Sequence, residues 1–270
     1  MTRHLSALVV FSLLGVLPSQ AKPTFLDAPF WDDGKAEIAV YEAKRFHYGR
    51  LYESEIIHYL VKEPFSLTRN VKSNSPKGED VVPAIKLNQV ITTPTGTYTY
   101  QQMHSSFWSK SEGRLLKASL SHHEACGNTY KEAIRSGEKL NFLAHTYWEG
   151  KSRVEREINL SPTTWTEDEL PFQLRRLVAD DLPLPDPLLI IPTMMHSKAG
   201  STVPVPATLK RDGFSITVTC AGRDDHFAFD TEWPHVLTST EKSDGSKMTL
   251  KKHLRLDYWN HHQPDDSLTD

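Results

Sequence analysis

The chain has 270 residues, of which 31 are Lys or Arg and 34 are Asp or Glu, and its formal net charge is −3. This balance provides no electrostatic means of recruiting nucleic acid or anionic lipid, so we expect no nucleic-acid partner. A chain of this length can bury one sizeable hydrophobic core, either as a single large β domain or as two smaller domains.

The N-terminal segment, residues 1–21, is typical of a secretory signal peptide. An arginine precedes an almost wholly apolar run over residues 5–17, and the small residues Ser19 and Ala21 follow it. The run is shorter than the roughly 20 residues that a membrane-spanning helix needs, so an uncleaved anchor is the less favoured alternative. The sequence predicts cleavage near Ala21 and an exported protein, periplasmic or extracellular, that does not span the membrane after cleavage.

The remaining chain, residues 22–270, is predicted to form a single β-rich domain. Short β-rich runs are separated by turn residues at which hairpins would reverse. The predicted early strands are Ala36–Arg45, Leu51–Val61, Ala84–Thr92, Thr97–Phe107 and Leu115–His123. The predicted reversals are Asp33-Gly34, Tyr48-Gly49, Pro94-Thr95-Gly96, Glu112-Gly113, Ser136-Gly137, Asp212-Gly213 and Asp244-Gly245. This pattern indicates an antiparallel meander.

Three later segments alternate apolar and polar residues with a period of two, which indicates strands with one buried face. These segments are Leu140–Trp148, Phe214–Cys220 and Met248–Tyr258. In the last of them only Lys252 breaks the alternation.

One segment, residues 167–180, is predicted to form a short helix. Thr166 and Glu169 have the spacing of a capping box, and apolar residues follow with helical spacing. Four prolines come next, and proline cannot donate to a β-ladder, so a central strand is excluded over most of residues 181–193, which are predicted to form an extended crossing segment or lid. The helix and this segment together form an insertion near residues 164–193.

A single helix among roughly ten predicted strands favours a mainly β fold. We expect a strongly curved antiparallel sheet that wraps partly around the helix, or an open barrel that the helix plugs.

The chain has two cysteines, Cys126 and Cys220. Counting alternate positions along their predicted strands places both sulfurs on inward faces. In an exported chain two inward cysteines predict a disulfide, which would contribute about 4 to 5 kcal/mol in the chain-entropy model. Buried reduced thiols are the alternative. A cysteine nucleophile is disfavoured, because spacing assigns no partner histidine.

Five titratable residues lie close to these cysteines in sequence: His122, Glu124, Asp224, Asp225 and His226. A disulfide would bring the two groups together, and imidazole and carboxylate side chains suit acid–base or zinc chemistry. No tight spacing such as H-E-x-x-H supports a metal site, so we predict no metal and no cofactor. The favoured interpretation is that these residues lie in solvated polar loops.

Four stretches carry a resemblance to a known family: Phe30–Ser66, Pro83–Tyr100, His122–Ala133 and Thr219–Ser239. They resemble a family of exported bacterial proteins of unknown function, some of which carry the transferred label "septum formation inhibitor Maf". The stretch DGKAEIAVYEAKRFHYG is also distantly similar to periplasmic proteins with lipocalin-like or lipoprotein-carrier-like half-barrels. The resemblance implies a concave apolar surface that could hold an acyl chain, and it implies no specific activity.

Three functions remain open from the sequence. We favour a non-enzymatic envelope protein whose concave sheet binds an apolar ligand or lipid. The second is an exported hydrolase centred on the His, Asp and Glu residues near the cysteines. The third is a structural or assembly factor that docks through a sheet edge.

Overall fold

The computed structural model describes residues 23–268, which form one 16-stranded sheet and one α-helix. The strands of the first half are β1 (Ala36–His47), β2 (Arg50–Ser66), β3 (Val71–Lys72), β4 (Val81–Pro94), β5 (Thr99–Ser109), β6 (Leu115–Glu124), β7 (Gly127–Ser136), β8 (Lys139–His145) and β9 (Arg153–Asn159). The strands of the second half are β10 (Thr164–Thr166), β11 (Leu188–Ile191), β12 (Val205–Asp212), β13 (Ser215–Cys220), β14 (Arg223–Phe229), β15 (Leu237–Glu241) and β16 (Lys247–Leu256). The helix α1 spans Leu170–Ala179, and short 3-10 helices lie at Pro29–Asp32, Glu167–Glu169 and Tyr258–Asn260.

The mainly β class with one short helix is confirmed. The predicted signal peptide, residues 1–21, lies outside the described residues. Within residues 23–268, no helix combines the length and the apolar character needed to cross a bilayer.

The sheet consists of two antiparallel meanders that meet at the pairing of β1 with β16. One meander runs from β1 to β9 and the other from β11 to β16, while β3 pairs only with the end of β2. At each of the seven predicted reversals the glycine has a positive φ, which glycine adopts without the steric cost that a Cβ imposes. The two edges of the sheet are β9 and β10.

The connection between the two edges explains why the sheet is curled. Only residues 160–163 separate the end of β9 from the start of β10. Since an extended chain spans at most ~3.5 Å per residue, the two edges cannot lie more than roughly 18 Å apart there. An open, flat sheet of 16 strands would separate its edges much further than this. The sheet therefore bends until its edges nearly meet, and we call the gap between them the seam.

The helix α1 lies against the concave face of the sheet between two apolar clusters. Leu170, Leu174 and Leu177 pack in one cluster with residues of β13 and β14. Phe172 belongs to the other cluster and stacks on Trp108 of β5, with ring centroids 4.0 Å apart. Each such side chain contributes roughly 1.5 to 3 kcal/mol by burial. The prediction of a helix over 167–180 is thus confirmed.

The capping box predicted ahead of the helix is present. The backbone amide of Thr166 donates to the carboxylate of Glu169 at 2.8 Å, and the backbone amide of Glu169 faces the Thr166 hydroxyl in return. Pro171 occupies the first turn of α1, where its missing amide hydrogen removes no helical hydrogen bond.

The strand β16 contributes to both faces of the sheet. Its pairing with β1 shifts register between Leu250 and Lys252, which places a bulge at the position where the alternation breaks. Met248 and Leu250 consequently pack inside, whereas Leu254 and Leu256 pack in a separate cluster on the outer face. The prediction of a single buried face is wrong for this strand, because the bulge reverses the alternation.

The segment after the helix contains one short strand. Leu188–Ile191 forms β11, which lies between β10 and β12 in the sheet order. The four apolar residues lie between Pro187 and Pro192, so proline is absent from the paired stretch itself. The predicted crossing segment thus contains a strand of four residues, and the rest of 181–193 forms no strand.

Candidate ligand-binding site

The two cysteines are unpaired, with Cys126 exposed and Cys220 half-buried. Cys126 lies in the two-residue turn between β6 and β7, so the alternation counted along β6 ends before it reaches this residue. Cys220 packs against the inner apolar cluster, but β6 and β13 are eight positions apart in the sheet order. The predicted disulfide is therefore wrong in this structure.

The predicted cluster of titratable residues does not converge. His122 is buried, whereas His226 is exposed and lies 2.9 Å from a threonine hydroxyl of the neighbouring strand. Asp224 is also exposed, and Asp225 is half-buried at 3.9 Å from the ammonium of Lys242. Since β6 and β14 are seven positions apart in the sheet order, the two histidines occupy separate regions.

His122 and Glu124 do face inward, as alternation predicts, and both contact neighbouring side chains. Glu124 accepts a hydrogen bond from the hydroxyl of Tyr147. The Nδ1 atom of His122 lies 3.3 Å from the side-chain amide nitrogen of Gln102. The imidazole ring packs edge-on against Tyr100. Burial lowers the pKa of His122 to about 4, so its imidazole is neutral at pH 7. Among residues 23–268, no group of three His, Cys, Asp or Glu side chains is arranged to hold a metal ion.

A cleft of about 310 Å³ opens at the seam, and we call it the seam cleft. Its apolar wall is formed by Leu140, Leu160, Trp165, Leu177 and Leu182, together with prolines of the segment after α1. This volume lies at the lower end of the roughly 300 to 1,000 Å³ that small-molecule sites occupy. The edge strand β10, the connection that follows β9 and the helix all contribute residues, so the cleft exists because the sheet curls without closing.

The floor of the seam cleft contains Glu169, whose carboxylate is held by several hydrogen bonds. Glu169 accepts hydrogen bonds from Trp108 Nε1 at 2.9 Å and from Gln173 Nε2 at 3.2 Å, in addition to the amide of Thr166. Burial raises the pKa of this carboxyl, and its three donors partly oppose that effect. Both oxygens of the Glu169 carboxylate are thus hydrogen-bonded within the protein.

The rim of the seam cleft is basic. Arg114, Arg135 and Arg176 line it. Arg176 donates to the carbonyl of Gly113 at 3.2 Å and to the side chain of Gln173 at 2.8 Å. Gly113 has a φ of +65°, and a Cβ there would lie 2.0 Å from Nη1 of Arg176. Only glycine therefore allows this guanidinium to approach the turn so closely.

The residues of the seam cleft were not predicted from the sequence, which singled out neither Trp165 nor the arginines. The available signal was the clustering of a tryptophan, a capping box and a proline-rich segment within residues 162–187. This clustering marks the place where one meander passes to the other.

Comparisons with known proteins assign no family to the chain. No family model matches the chain, and no curated protein matches it. Among solved structures, the chain is similar to a β-barrel-like protein of the domain of unknown function DUF1849 from Brucella abortus, with a TM-score of 0.46 and 7% sequence identity over 82% of this chain and 97% of that chain. None of these comparisons tests the resemblance to exported proteins labelled Maf, which stays a prediction.

Proposed function

We propose that this chain is an exported, non-enzymatic envelope protein that binds an apolar ligand in the seam cleft. The observation that carries the proposal is a cleft of about 310 Å³ with a wall of leucine, tryptophan and proline side chains. Such walls exclude water and bind apolar groups through the hydrophobic effect. The middle of the concave face is covered by α1, so a ligand is expected at the seam and not along the whole sheet.

Two alternatives receive less support. A hydrolase would need the titratable residues near the cysteines to converge, and His122 and His226 lie on strands seven positions apart. Docking through a sheet edge would use β9, whose exposed side chains include Arg153, Glu155 and Arg156. Charged side chains on an edge strand protect it against pairing with other chains.

We expect the neutral fluorophore N-phenylnaphthylamine to bind the purified protein saturably, with enhanced emission. Replacing Leu160 with tryptophan should fill the cleft and weaken binding about tenfold or more, because the lost apolar contacts account for at least 1.4 kcal/mol. Leu51→Trp is the matched control, since Leu51 is exposed on the β1–β2 hairpin and does not line the cleft. Absence of saturable binding, or equal losses in both variants, would contradict the proposal.

The export that we propose rests on the N-terminal pattern and has its own test. When the chain is expressed from Met1 in a bacterium with an outer membrane, we expect a periplasmic product that begins at Lys22. Leu13→Arg places a charge in the apolar run and should retain the full-length chain in the cytoplasm. A wild-type chain that stays cytoplasmic and uncleaved would refute export and leave the binding proposal standing.

A further inference from the structure

The charges that line the seam cleft do not cancel. Three arginines face two acids, Glu112 and Glu169. Arg114 forms an ion pair with Glu112, and both side chains are about half exposed. The carboxylate of Glu169 is held by Trp108, Gln173 and a backbone amide. Arg135 and Arg176 therefore remain as the two cations without a carboxylate of their own.

The contacts of these two arginines are with neutral groups. Arg135 Nε donates to the carbonyl of Gly137 at 2.9 Å, and Arg176 donates to Gly113 and Gln173. Neither guanidinium lies within 4 Å of a carboxylate of residues 23–268. Among residues 23–268, Nη1 and Nη2 of Arg135 and Nη2 of Arg176 donate to no acceptor. Each arginine thus has donors that remain available to an anion.

The surroundings make an anion favourable. Both arginines are half-buried beside the leucine wall, and burial lowers the pKa of each. Neighbouring carboxylates, including Asp180 for Arg176 and Glu138 for Arg135, attract these cations from beyond ion-pair distance and only partly oppose the effect of burial. A partly desolvated cation without a paired carboxylate costs free energy, and an anion bound to two such groups offsets this cost. Guanidinium groups also bind planar carboxylates through paired hydrogen bonds.

We infer that the ligand of the seam cleft is a single-chain amphiphile whose carboxylate is held by Arg135 and Arg176 while its apolar tail lies along the leucine wall. This inference rests on the proposed function, because it requires the cleft to bind an apolar group. The small volume of about 310 Å³ favours one chain over a two-chain lipid.

Displacement of N-phenylnaphthylamine by four amphiphiles with ten-carbon chains tests the inference. Decanoate should displace the fluorophore at concentrations about tenfold or more below those of decyltrimethylammonium and of a neutral decyl ether, because charge-assisted hydrogen bonds are available only to the anion. Decyl phosphate serves as the fourth competitor. A clear preference for decyl phosphate over decanoate would overturn the carboxylate assignment.

Variants identify the residues responsible. Arg135→Gln and Arg176→Gln should each weaken decanoate binding about tenfold and leave the neutral ether unaffected. Arg153→Gln is the control, since Arg153 is an exposed residue at the start of β9 and does not line the cleft. If Arg176→Gln does not fold, Arg176→Lys should keep the charge and still bind decanoate more weakly than the wild-type protein does, because lysine lacks the paired donors.

The two proposals fail differently. If the fluorophore binds but decanoate and the neutral ether compete equally, or the arginine variants behave like Arg153→Gln, the inference is overturned and the proposed function stands. If neither the fluorophore nor any amphiphile binds, both are overturned.

Discussion

Replacing Arg175 with methionine is expected to lower the free energy of unfolding by about 3 to 5 kcal/mol, the cost of leaving a buried charge without its partner. Arg175 of α1 donates to both carboxylate oxygens of Glu37 on β1, at 2.6 and 2.8 Å, and to the carbonyl of Pro234 at 2.8 Å. Both side chains are almost fully buried, with 5% and 4% of their surface exposed. Chemical denaturation with urea would measure the loss.

The pH dependence of this effect has a definite sign. Burial alone would raise the pKa of Glu37, but the charge and hydrogen bonds of Arg175, helped by His253, lower it to about 2. Because the folded pKa lies below the ordinary value near 4.5, the ionised carboxylate contributes stability above pH 4.5 and loses it as the pH falls towards 2. In Arg175→Met the effect of burial on the pKa of Glu37 is opposed only by the smaller contribution of His253, so the deficit in stability relative to wild type should shrink between pH 7 and pH 3.

Two controls separate the buried charge from loss of packing. Arg153→Met removes an exposed arginine that pairs with Glu155, and we expect a change within about 0.5 kcal/mol. The double variant Glu37→Met with Arg175→Met leaves no buried charge and should recover much of the stability. A double variant no more stable than Arg175→Met alone, with a deficit independent of pH, would contradict this account.

The fold was predictable from the sequence wherever strands alternate and glycine ends them. The bounds of β6 differ from the predicted Leu115–His123 by one residue, because Ala118, Leu120 and His122 are buried at alternate positions and Gly113 marks the turn before the strand. β1 also matched its prediction, although Ala36–Tyr41 is buried on both faces. The second face of β1 is covered by residues after the bulge in β16, and alternation within one strand cannot reveal such pairing.

The candidate site was harder to predict because it is formed by distant parts of the chain. Leu140 lies on β8 and Leu160 directly follows β9. Trp165 lies on the edge strand β10, Leu177 on the helix and Leu182 just after it. No local pattern indicates that β9 and β10 lie at opposite edges of the same sheet. The disulfide prediction failed because the alternation that orients His122 along β6 ends at the hairpin turn, in which Cys126 lies.

Replacing Lys131 with methionine is expected to lower the free energy of unfolding by about 2 to 4 kcal/mol, since it leaves three carbonyl oxygens without their donor, in one buried and two partly buried hydrogen bonds. Lys131 of β7 is fully buried, and its ammonium donates to the carbonyls of Met194, His196 and Lys198 at 2.9, 2.5 and 2.7 Å. Residues 193–200 form no strand or helix, so these bonds replace a β-ladder. Urea denaturation would measure the loss.

The same variant should open this segment before the sheet unfolds. Backbone amides of residues 193–200 are expected to exchange with deuterium faster in Lys131→Met, while those of β5 and β6 stay protected. Lys139→Met, which removes an exposed lysine of the next strand, should change neither quantity. Because the segment continues directly from Ile191, which lines the seam cleft, its opening should also weaken binding of N-phenylnaphthylamine. Exchange that rises uniformly across the sheet would instead show that Lys131 contributes only to global stability.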